Sequence, residues 1–138
     1  MKEWITGRNP VYEVLKAGRR QVFRLLVAQG VEEKGRLMEI ISLAARRKAV
    51  VERVPRQQLD LLASGAESHQ GVALEVSGFP YSFLSDILEA GRTSNEPLFI
   101  LMLDMIQNPQ NLGSLIRSAE AVGVHGVVLP LARAAALM

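Results

Sequence analysis

Short apolar runs alternate with amphipathic segments along most of this 138-residue chain. The runs "QVFRLLVA", "AVVERVP" and "HQGVALEVSGF" are rich in β-branched residues, which favour strands. Between them, "VEEKGRLMEIISLAARRK" repeats apolar residues at helical spacing, with acids early and bases late, and "RQQLDLLAS" is a shorter helical pattern. Because strands that alternate with helices pack in layers, the sequence predicts an α/β sandwich.

The first domain is predicted to span 1–77, with the element order α-β-α-β-α-β. Its first helix is expected to follow Asn9, a residue suited to the N-cap, with Pro10 at the first helical position. Gly18 is expected to end that helix.

The stretch "GFPYS" at 78–82 is rich in turn and aromatic residues, and it marks the predicted domain boundary. We assign 78–96 to a linker and a first amphipathic helix, with Ser82 or Ser85 as a possible cap. The remainder, 97–138, is predicted to be an incomplete second domain.

The second domain opens with "LFILMLDM", a continuous apolar run that is typical of a parallel strand covered on both faces. The polar loop "MIQNPQN", a helix over 112–122 ended by Gly123, and the strand "GVVLP" follow. Together they predict one βαβ unit, and the loop after its first strand is where α/β folds bind ligands.

Composition excludes several classes of protein. Hydrophobic residues make up 49% of the chain and the net charge is +2, so disorder is not expected. The chain has no cysteine, which excludes disulfides and thiolate metal sites, and His69 and His125 are too far apart in sequence to suggest a metal cluster. No run approaches the ~20 apolar residues of a membrane span. We expect a soluble, cytoplasmic protein without a metal.

Basic residues are concentrated in the first half of the chain, and the sequence pI is about 9.3. Two groups, "GRR" at 18–20 and "RRK" at 46–48, close predicted helices, where cations are favoured by the helix dipole. The alternative is a surface that binds phosphate groups. Charge alone favours the helix-end interpretation over the phosphate-binding surface.

The loop and helix at 108–117 carry the residues with the clearest chemical use. Asn111 could cap the helix, leaving other N–H groups for an anion, and Gly113 allows a close approach. Arg117 carries a planar donor fork suited to phosphate, although it could equally pair with Glu120. The glycine patterns of dinucleotide and nucleoside-triphosphate sites are missing from the sequence.

At these residues the sequence resembles a known family. The segment "LDMIQNPQNLGSLIRSAEAVGVHGVVLP" is similar to the first motif of the SpoU (TrmH-like) RNA methyltransferases, a branch of the knotted SPOUT class. The motif positions are Asp104, Asn111, Gly113, Arg117 and Ala119. The segments "GRNPVYEVLKAGR" and "HQGVALEV" resemble the substrate-binding N-terminal extension of many members. The likeness covers nearly the whole chain.

The resemblance implies a ribosomal-protein-like α/β/α sandwich, followed by the first part of a SPOUT (trefoil-knot) parallel-sheet domain whose knot is missing. It implies methylation of a ribose 2′-hydroxyl in 23S ribosomal RNA or transfer RNA, with S-adenosylmethionine as the methyl donor. Asn111 and Arg117 would be the catalytic pair. The implied RNA contacts are Arg8, Asn9, Arg19, Arg20, His69 and Gln70.

The later family motifs, which bind S-adenosylmethionine and supply much of the dimer interface, are expected beyond Met138. A homodimer is therefore expected only of a complete protein, and the 138-residue chain is expected to be inactive alone. The alternative is a non-catalytic RNA-binding module with a ribosomal-protein-like fold.

Overall fold

The computed structural model describes residues 1–63 and 68–130 and divides into two compact units, Met1–Pro80 and a second that begins at Tyr81. Ser64 at the end of the third predicted helix, and 131–138 at the end of the second domain, lie outside the described residues. The elements are β1 (Lys2–Thr6), α1 (Arg8–Ala17), β2 (Val22–Ala28), α2 (Arg36–Arg46), β3 (Val50–Val54), α3 (Arg56–Asp60), β4 (Val72–Ser77), α4 (Leu84–Thr93), β5 (Ile100–Met102), α5 (Pro109–Val122) and β6 (Gly126–Val128).

The first unit is built on a four-stranded mixed sheet with the strand order β1-β4-β2-β3. Strand β4 runs antiparallel to both of its neighbours, and it pairs Leu74 with Ile5 on one side and with Leu25 on the other. Strands β2 and β3 are parallel, and helix α2 makes the crossover that such a pair requires. The carboxyl ends of β1, β2 and β3 therefore lie at the same edge of the sheet as the start of β4.

Apolar side chains from alternating strand positions fill both faces of this sheet. One face packs against α1 and α2 around Leu25, Val27, Leu74, Val11, Leu15, Leu37 and Ile40. The other face packs against α3 through Leu26, Ala28, Val54, Leu59 and Ala73. Burying each large side chain favours folding by about 1.5–3 kcal/mol. The two cores confirm the α/β/α sandwich.

The start of the first unit differs from the expectation. The chain begins with strand β1, which the sequence pattern "KEWIT" did not reveal because it is short and carries two charges. Helix α1 begins at Arg8 after Gly7, whose φ of 94° turns the chain sharply. Asn9 is thus already helical, and its prediction as the N-cap is wrong. Gly18 ends the helix in the left-handed conformation, as expected.

Helix α2 is shorter than the pattern that predicted it. Val31 and the residues after it form a loop, and the helix begins at Arg36 because Gly35 adopts a positive φ of 59°. The loop is pinned to strand β3 by Arg53, whose Nε and Nη2 donate to the two oxygens of Glu33 at 2.9 and 3.0 Å. This pairing lowers the pKa of the Glu33 carboxyl.

The second unit contains a parallel two-stranded sheet, β5–β6, joined by α5. This is the predicted βαβ unit, although β5 covers only three residues of the long apolar run. Helix α4 packs closely on β6, because a side chain at Gly126 would lie 2.6 Å from Ile87. Neither predicted serine caps α4. Instead Asp86 accepts a hydrogen bond from the Phe83 N–H at 3.0 Å.

Within the described ranges, none of the helices is both long and apolar enough to cross a membrane.

Candidate functional site

Several segments that are distant in sequence meet at one edge of the first sheet, where strands β1, β2 and β3 end. There the Gly7 N–H donates to the Val72 carbonyl at 3.3 Å, and the Ala28 N–H donates to the Gly71 carbonyl at 2.9 Å. The Gln29 N–H donates to the carbonyl that ends β3 at 2.9 Å. Helices α1 and α3 begin directly at this edge, and α2 begins after the loop that leaves it.

Arg8 and Gln70, which are 62 residues apart, are locked together at this edge. The Arg8 N–H donates to Gln70 Oε1 at 2.7 Å, and Arg8 Nε donates to the Gln70 carbonyl at 3.2 Å. Gln70 and Gly71 both have positive φ, 52° and 79°. A side chain at Gly71 would also lie 3.2 Å from Val31. The sequence-predicted contacts Arg8, Asn9 and Gln70 therefore share one surface.

His69 stabilises the turn at Gln70 and Gly71. Its side chain is buried, Nδ1 accepts the Gly71 N–H at 2.9 Å, and Nε2 contacts Asp60 Oδ1 at 2.8 Å. Because Nδ1 accepts a hydrogen bond, the ring proton lies on Nε2 and points at the carboxylate. The imidazole has no ring nitrogen left for RNA. Its prediction as a direct contact is therefore replaced by a structural role.

Arg19 and Arg20 lie at the opposite edge of the sheet, next to the start of β2. Arg19 is exposed, but Arg20 is buried, donates to Glu3 Oε2 at 3.0 Å and lies 5.4 Å from the ring of Phe79. The structure does not bring this pair together with Arg8. Arg20 is a poor candidate for contact with RNA, because its guanidinium is enclosed by β1 and the chain after β4.

A depression of about 580 Å³ opens at the edge that carries Arg8. We call it the basic depression, and it is lined by Arg8, Asn9, Val31, Arg36, Arg56, Gln70 and Gly71. Sequence reasoning missed Arg36 and Arg56 as site residues. A topological signal was available, since Arg56 begins the helix that directly follows a strand ending at this edge, and Arg36 begins the helix that follows the neighbouring strand.

In the second unit, the loop after β5 leads into α5 through a side-chain cap. Asn108 Oδ1 accepts the Gln110 N–H at 2.8 Å and the Asn111 N–H at 3.4 Å. Asn108 is therefore the N-cap of α5, and the prediction of Asn111 as the cap is wrong by one helical turn. Asn111 lies in the first turn of the helix with its side chain exposed.

Arg117 lies six residues further along α5 than Asn111, one turn beyond Gly113, and its side chain reaches back towards Gly113. A Cβ built at Gly113 would lie 3.7 Å from Arg117 Nη1, so the guanidinium is next to the helix start. Arg117 is exposed, and among the described residues it makes no ion pair, which includes the alternative partner Glu120. A cationic donor fork thus lies beside a loop at the carboxyl end of a parallel strand.

In the part of the chain that the structure describes, no group of three or more histidine, aspartate or glutamate side chains could hold a metal ion.

Two family models match the chain. A model described as RNA 2′-O ribose methyltransferase substrate binding matches residues 4–82, and the SpoU rRNA methylase family model matches residues 98–138. The chain belongs to the SpoU family. The resemblance drawn from the sequence motifs is confirmed.

Curated relatives match nearly the whole chain. YacO of Bacillus subtilis (strain 168), named for the TrmH family of tRNA/rRNA methyltransferases, is 38% identical over 135 residues, which is 98% of this chain and 53% of YacO. An uncharacterized tRNA/rRNA methyltransferase of Mycobacterium avium (strain 104) is 42% identical over 98% of this chain and 43% of its own length. The SpoU chain thus spans about half the length of the curated relatives it matches.

Solved structures agree on the fold. The SpoU methyltransferase AviRb from Streptomyces viridochromogenes, crystallised with AdoMet, superposes with a TM-score of 0.63 at 24% identity, covering 97% of this chain and 46% of AviRb. An rRNA methyltransferase from Sinorhizobium meliloti gives a TM-score of 0.60 at 22% identity, covering 93% of this chain and 44% of its own. The predicted fold class, a sandwich followed by the first part of a SPOUT domain, is confirmed.

Proposed function

We propose that this SpoU chain is part of an RNA ribose 2′-O-methyltransferase that uses S-adenosylmethionine and acts on 23S ribosomal RNA or transfer RNA. The observation that carries the proposal is the order of two matches in one chain, substrate binding at 4–82 and SpoU methylase at 98–138. The names of these two relatives refer to both tRNA and rRNA.

The catalytic pair in this proposal is Asn111 and Arg117. A ribose hydroxyl is a weak nucleophile that must lose its proton as it attacks a methyl group, so the protein must position it and stabilise the developing charge. Arg117, exposed and without an acidic partner among the described residues, would bind the phosphate next to the target ribose and stabilise that charge. A guanidinium has no lone pair available to accept a proton, so Arg117 is unsuited to act as the base. The amide of Asn111 would orient the same nucleotide.

S-adenosylmethionine would supply the methyl group as an electrophile. The described residues offer no donor set that fits it, because the loop residues Asp104, Met105 and Asn108 are all exposed rather than walls of a cleft. We therefore assign no residue of this chain to the cofactor. The protein that carries a complete cofactor site would be a homodimer working in the cytoplasm, where its RNA substrates are.

Substitution of Arg117 tests the catalytic assignment in the protein as its source cells make it. Arg117→Ala should lower the transfer of tritiated methyl groups to RNA by about a hundredfold or more, because one charge-stabilising donor is lost. Arg117→Lys should recover only part of this activity, since it lacks the planar fork. The matched control is Arg92→Ala, an exposed arginine of the same unit, which should retain parental turnover. Parental turnover in Arg117→Ala would reject the assignment.

The second candidate function is a non-catalytic RNA-binding module. It is favoured by one observation: the first unit has its own two cores and its own basic depression. Filter binding of structured RNA at two salt concentrations, together with the methyl-transfer assay, separates the candidates. Binding that weakens steeply with salt but is never accompanied by methyl transfer would favour the module.

A further inference from the structure

We propose that the outer face of helix α2 binds the same face of a second copy of this chain, in an antiparallel helix pair with Ser42 at the two-fold axis. We call this surface the α2 face and define it by the exposed residues Met38, Glu39, Ser42, Ala45 and Arg46. It belongs to the first unit, so it is separate from the dimer interface expected beyond Met138. The inference does not depend on the proposed function, because it invokes neither RNA nor methyl transfer.

Apolar surface on the solvent side of α2 is the first argument. The core side of the helix packs through Leu37, Ile40 and Ala44. Met38 lies on the opposite side, and 56% of its surface is exposed. Beside it a groove of about 530 Å³, lined in part by Tyr12 and Leu43, runs between α1 and α2. This arrangement suits a protein contact, because a methionine side chain adapts to the shape of its partner.

The order of residues along α2 makes the α2 face complementary to itself. Met38 lies four residues before Ser42, and Arg46 lies four residues after it. In an antiparallel pair with the two-fold axis at Ser42, Arg46 of one copy therefore lies level with Met38 of the other. Glu39 and Arg46 project to the same side of the helix, because seven residues make nearly two full turns. Arg46 of each copy thus meets Glu39 of the other.

Charge complementarity is the argument for a second copy rather than an unrelated protein. Arg46 is exposed and has no acidic partner in the ranges that the structure describes. Glu39 accepts from Arg36 Nη1 through Oε2 at 3.2 Å, which leaves Oε1 for another donor. Within one helix Glu39 and Arg46 are about 10 Å apart along the axis, too far to pair. An antiparallel pair brings them together in two equivalent ion pairs.

Small residues at the middle of the α2 face allow the two helices to come close. Ser42 lies on the axis, and Ala45 of one copy faces Met38 of the other. The helix axes can therefore approach to about 8–9 Å, the lower part of the usual range for packed helices. One helix pair buries less than the ~1,200 Å² of a standard interface, so we expect a weak dimer with a micromolar dissociation constant.

Charge reversal tests the pairing by sedimentation velocity of the 138-residue chain over a concentration series. Glu39→Arg and Arg46→Glu should each raise the dimer dissociation constant by about tenfold or more, because each sets like charges against each other at both ends of the interface. The double variant should return to within about threefold of the parent. Arg56→Glu is the matched control, an exposed arginine of α3 with the same change of charge, and should leave the dissociation constant unchanged.

The double variant also separates association from folding. Glu39→Arg removes the contact with Arg36 inside the helix, and that contact stays broken in the double variant. Recovery of the dimer in the double variant can therefore come only from pairing between copies. Circular dichroism of every variant should match that of the parent.

A cross-link tests the position of the two-fold axis. The chain has no cysteine, so Ser42→Cys provides a single thiol. Mild oxidation with diamide should join two copies through position 42, because Cα atoms facing each other at the axis are within the roughly 4.4–6.8 Å that a disulfide spans. The control is Gln57→Cys, an exposed position of α3 on the other side of the sheet, which should give only background cross-linking.

Each outcome decides the proposal. A parent chain that stays monomeric into the hundreds of micromolar would overturn it, as would a double variant no tighter than the two single variants. A dimer that the charge variants leave unchanged would also overturn it, by indicating association through exposed apolar residues of the second unit such as Phe99 and Met102. Equal cross-linking at positions 42 and 57 would reject the two-fold axis at Ser42.

Discussion

At the scale of single residues, polar side chains of the same type have different roles that depend on a few neighbouring atoms. Arg20 is buried against Glu3, whereas Arg56 extends into an open depression. The family resemblance made His69 a candidate RNA contact, yet both of its ring nitrogens bond to groups inside the protein. Its function is to hold the backbone that presents Gln70.

Replacing His69 tests this supporting role. His69→Ala should lower the free energy of unfolding by about 1–3 kcal/mol, because the buried Gly71 N–H loses its acceptor. It should also weaken RNA binding, since the turn that carries Gln70 loosens. Urea unfolding measures the first effect. Asp60→Ala is the control and should cost less, because Asp60 is largely exposed. Equal losses in the two variants would contradict the assignment of the Gly71 bond as the main contribution.

The sequence could not separate these roles because burial depends on distant segments. Arg20 is enclosed by β1, a strand whose sequence gave no periodic signal. The Asn-Pro signal for a helix start was applied to Asn9, where the glycine turn before it starts the helix earlier. The Asn-Pro pair at Asn108 does start a helix, with Pro109 at the first helical position, although the sequence analysis placed that cap at Asn111. Side-chain chemistry predicted which types of residue lie at the site. Which individual residues come together depends on the sheet topology, which the local sequence does not show.

At the scale of elements, the helix starts and the loops before them form both candidate sites. Strong apolar periodicity predicted each helix and most strands. The observed helix boundaries differ from the predicted ones by several residues wherever a glycine or an asparagine determines the local backbone conformation. The cap of α5 is Asn108 rather than Asn111, so the exposed side chain of Asn111 does not cap the helix.

A pair of asparagine variants tests the start of α5. Asn108→Ala should destabilise this helix by about 1 kcal/mol, because the N–H groups of Gln110 and Asn111 lose their shared acceptor. Asn111→Ala should leave the stability nearly unchanged. Amide hydrogen exchange across α5 measures both. A larger effect of Asn111→Ala than of Asn108→Ala would contradict the observed cap.

Acid titration tests the loop before α2. Arg53 lowers the pKa of Glu33 in the folded protein below the unfolded value of about 4.3, so the pair stabilises the fold above that pH. This stabilisation is lost as the pH falls through the folded pKa. The parent should be more stable than Glu33→Gln at neutral pH, and the difference should vanish in strong acid. A difference in unfolding free energy that persists in acid would contradict the assignment.

At the scale of the whole molecule, the two units differ in how completely they are packed. The first unit buries two clusters on opposite faces of its sheet. In the second unit, large apolar side chains remain exposed, among them Phe83, Phe99, Met102 and Met105. Exposed apolar area of this kind is normally covered by further protein surface.

Brief proteolysis tests this contrast in the 138-residue chain. Chymotrypsin should cut first at Tyr81 or Phe83, where the chain is exposed, and should leave the first unit as a resistant fragment. Mass spectrometry of the fragments locates the cuts. Early cleavage at Phe23 or Tyr12, which belong to the packed first unit, would contradict the division into units.

We propose that the protein to which this SpoU chain belongs methylates the 2′-hydroxyl of ribose in RNA. The most direct measurement is identification of the product. The protein purified from its source cells is incubated with tritiated S-adenosylmethionine and unmodified ribosomal or transfer RNA, and the RNA is then digested to nucleosides. We predict that the label elutes as a 2′-O-methylated nucleoside. Label on a base, or no label in either RNA, would reject this proposal.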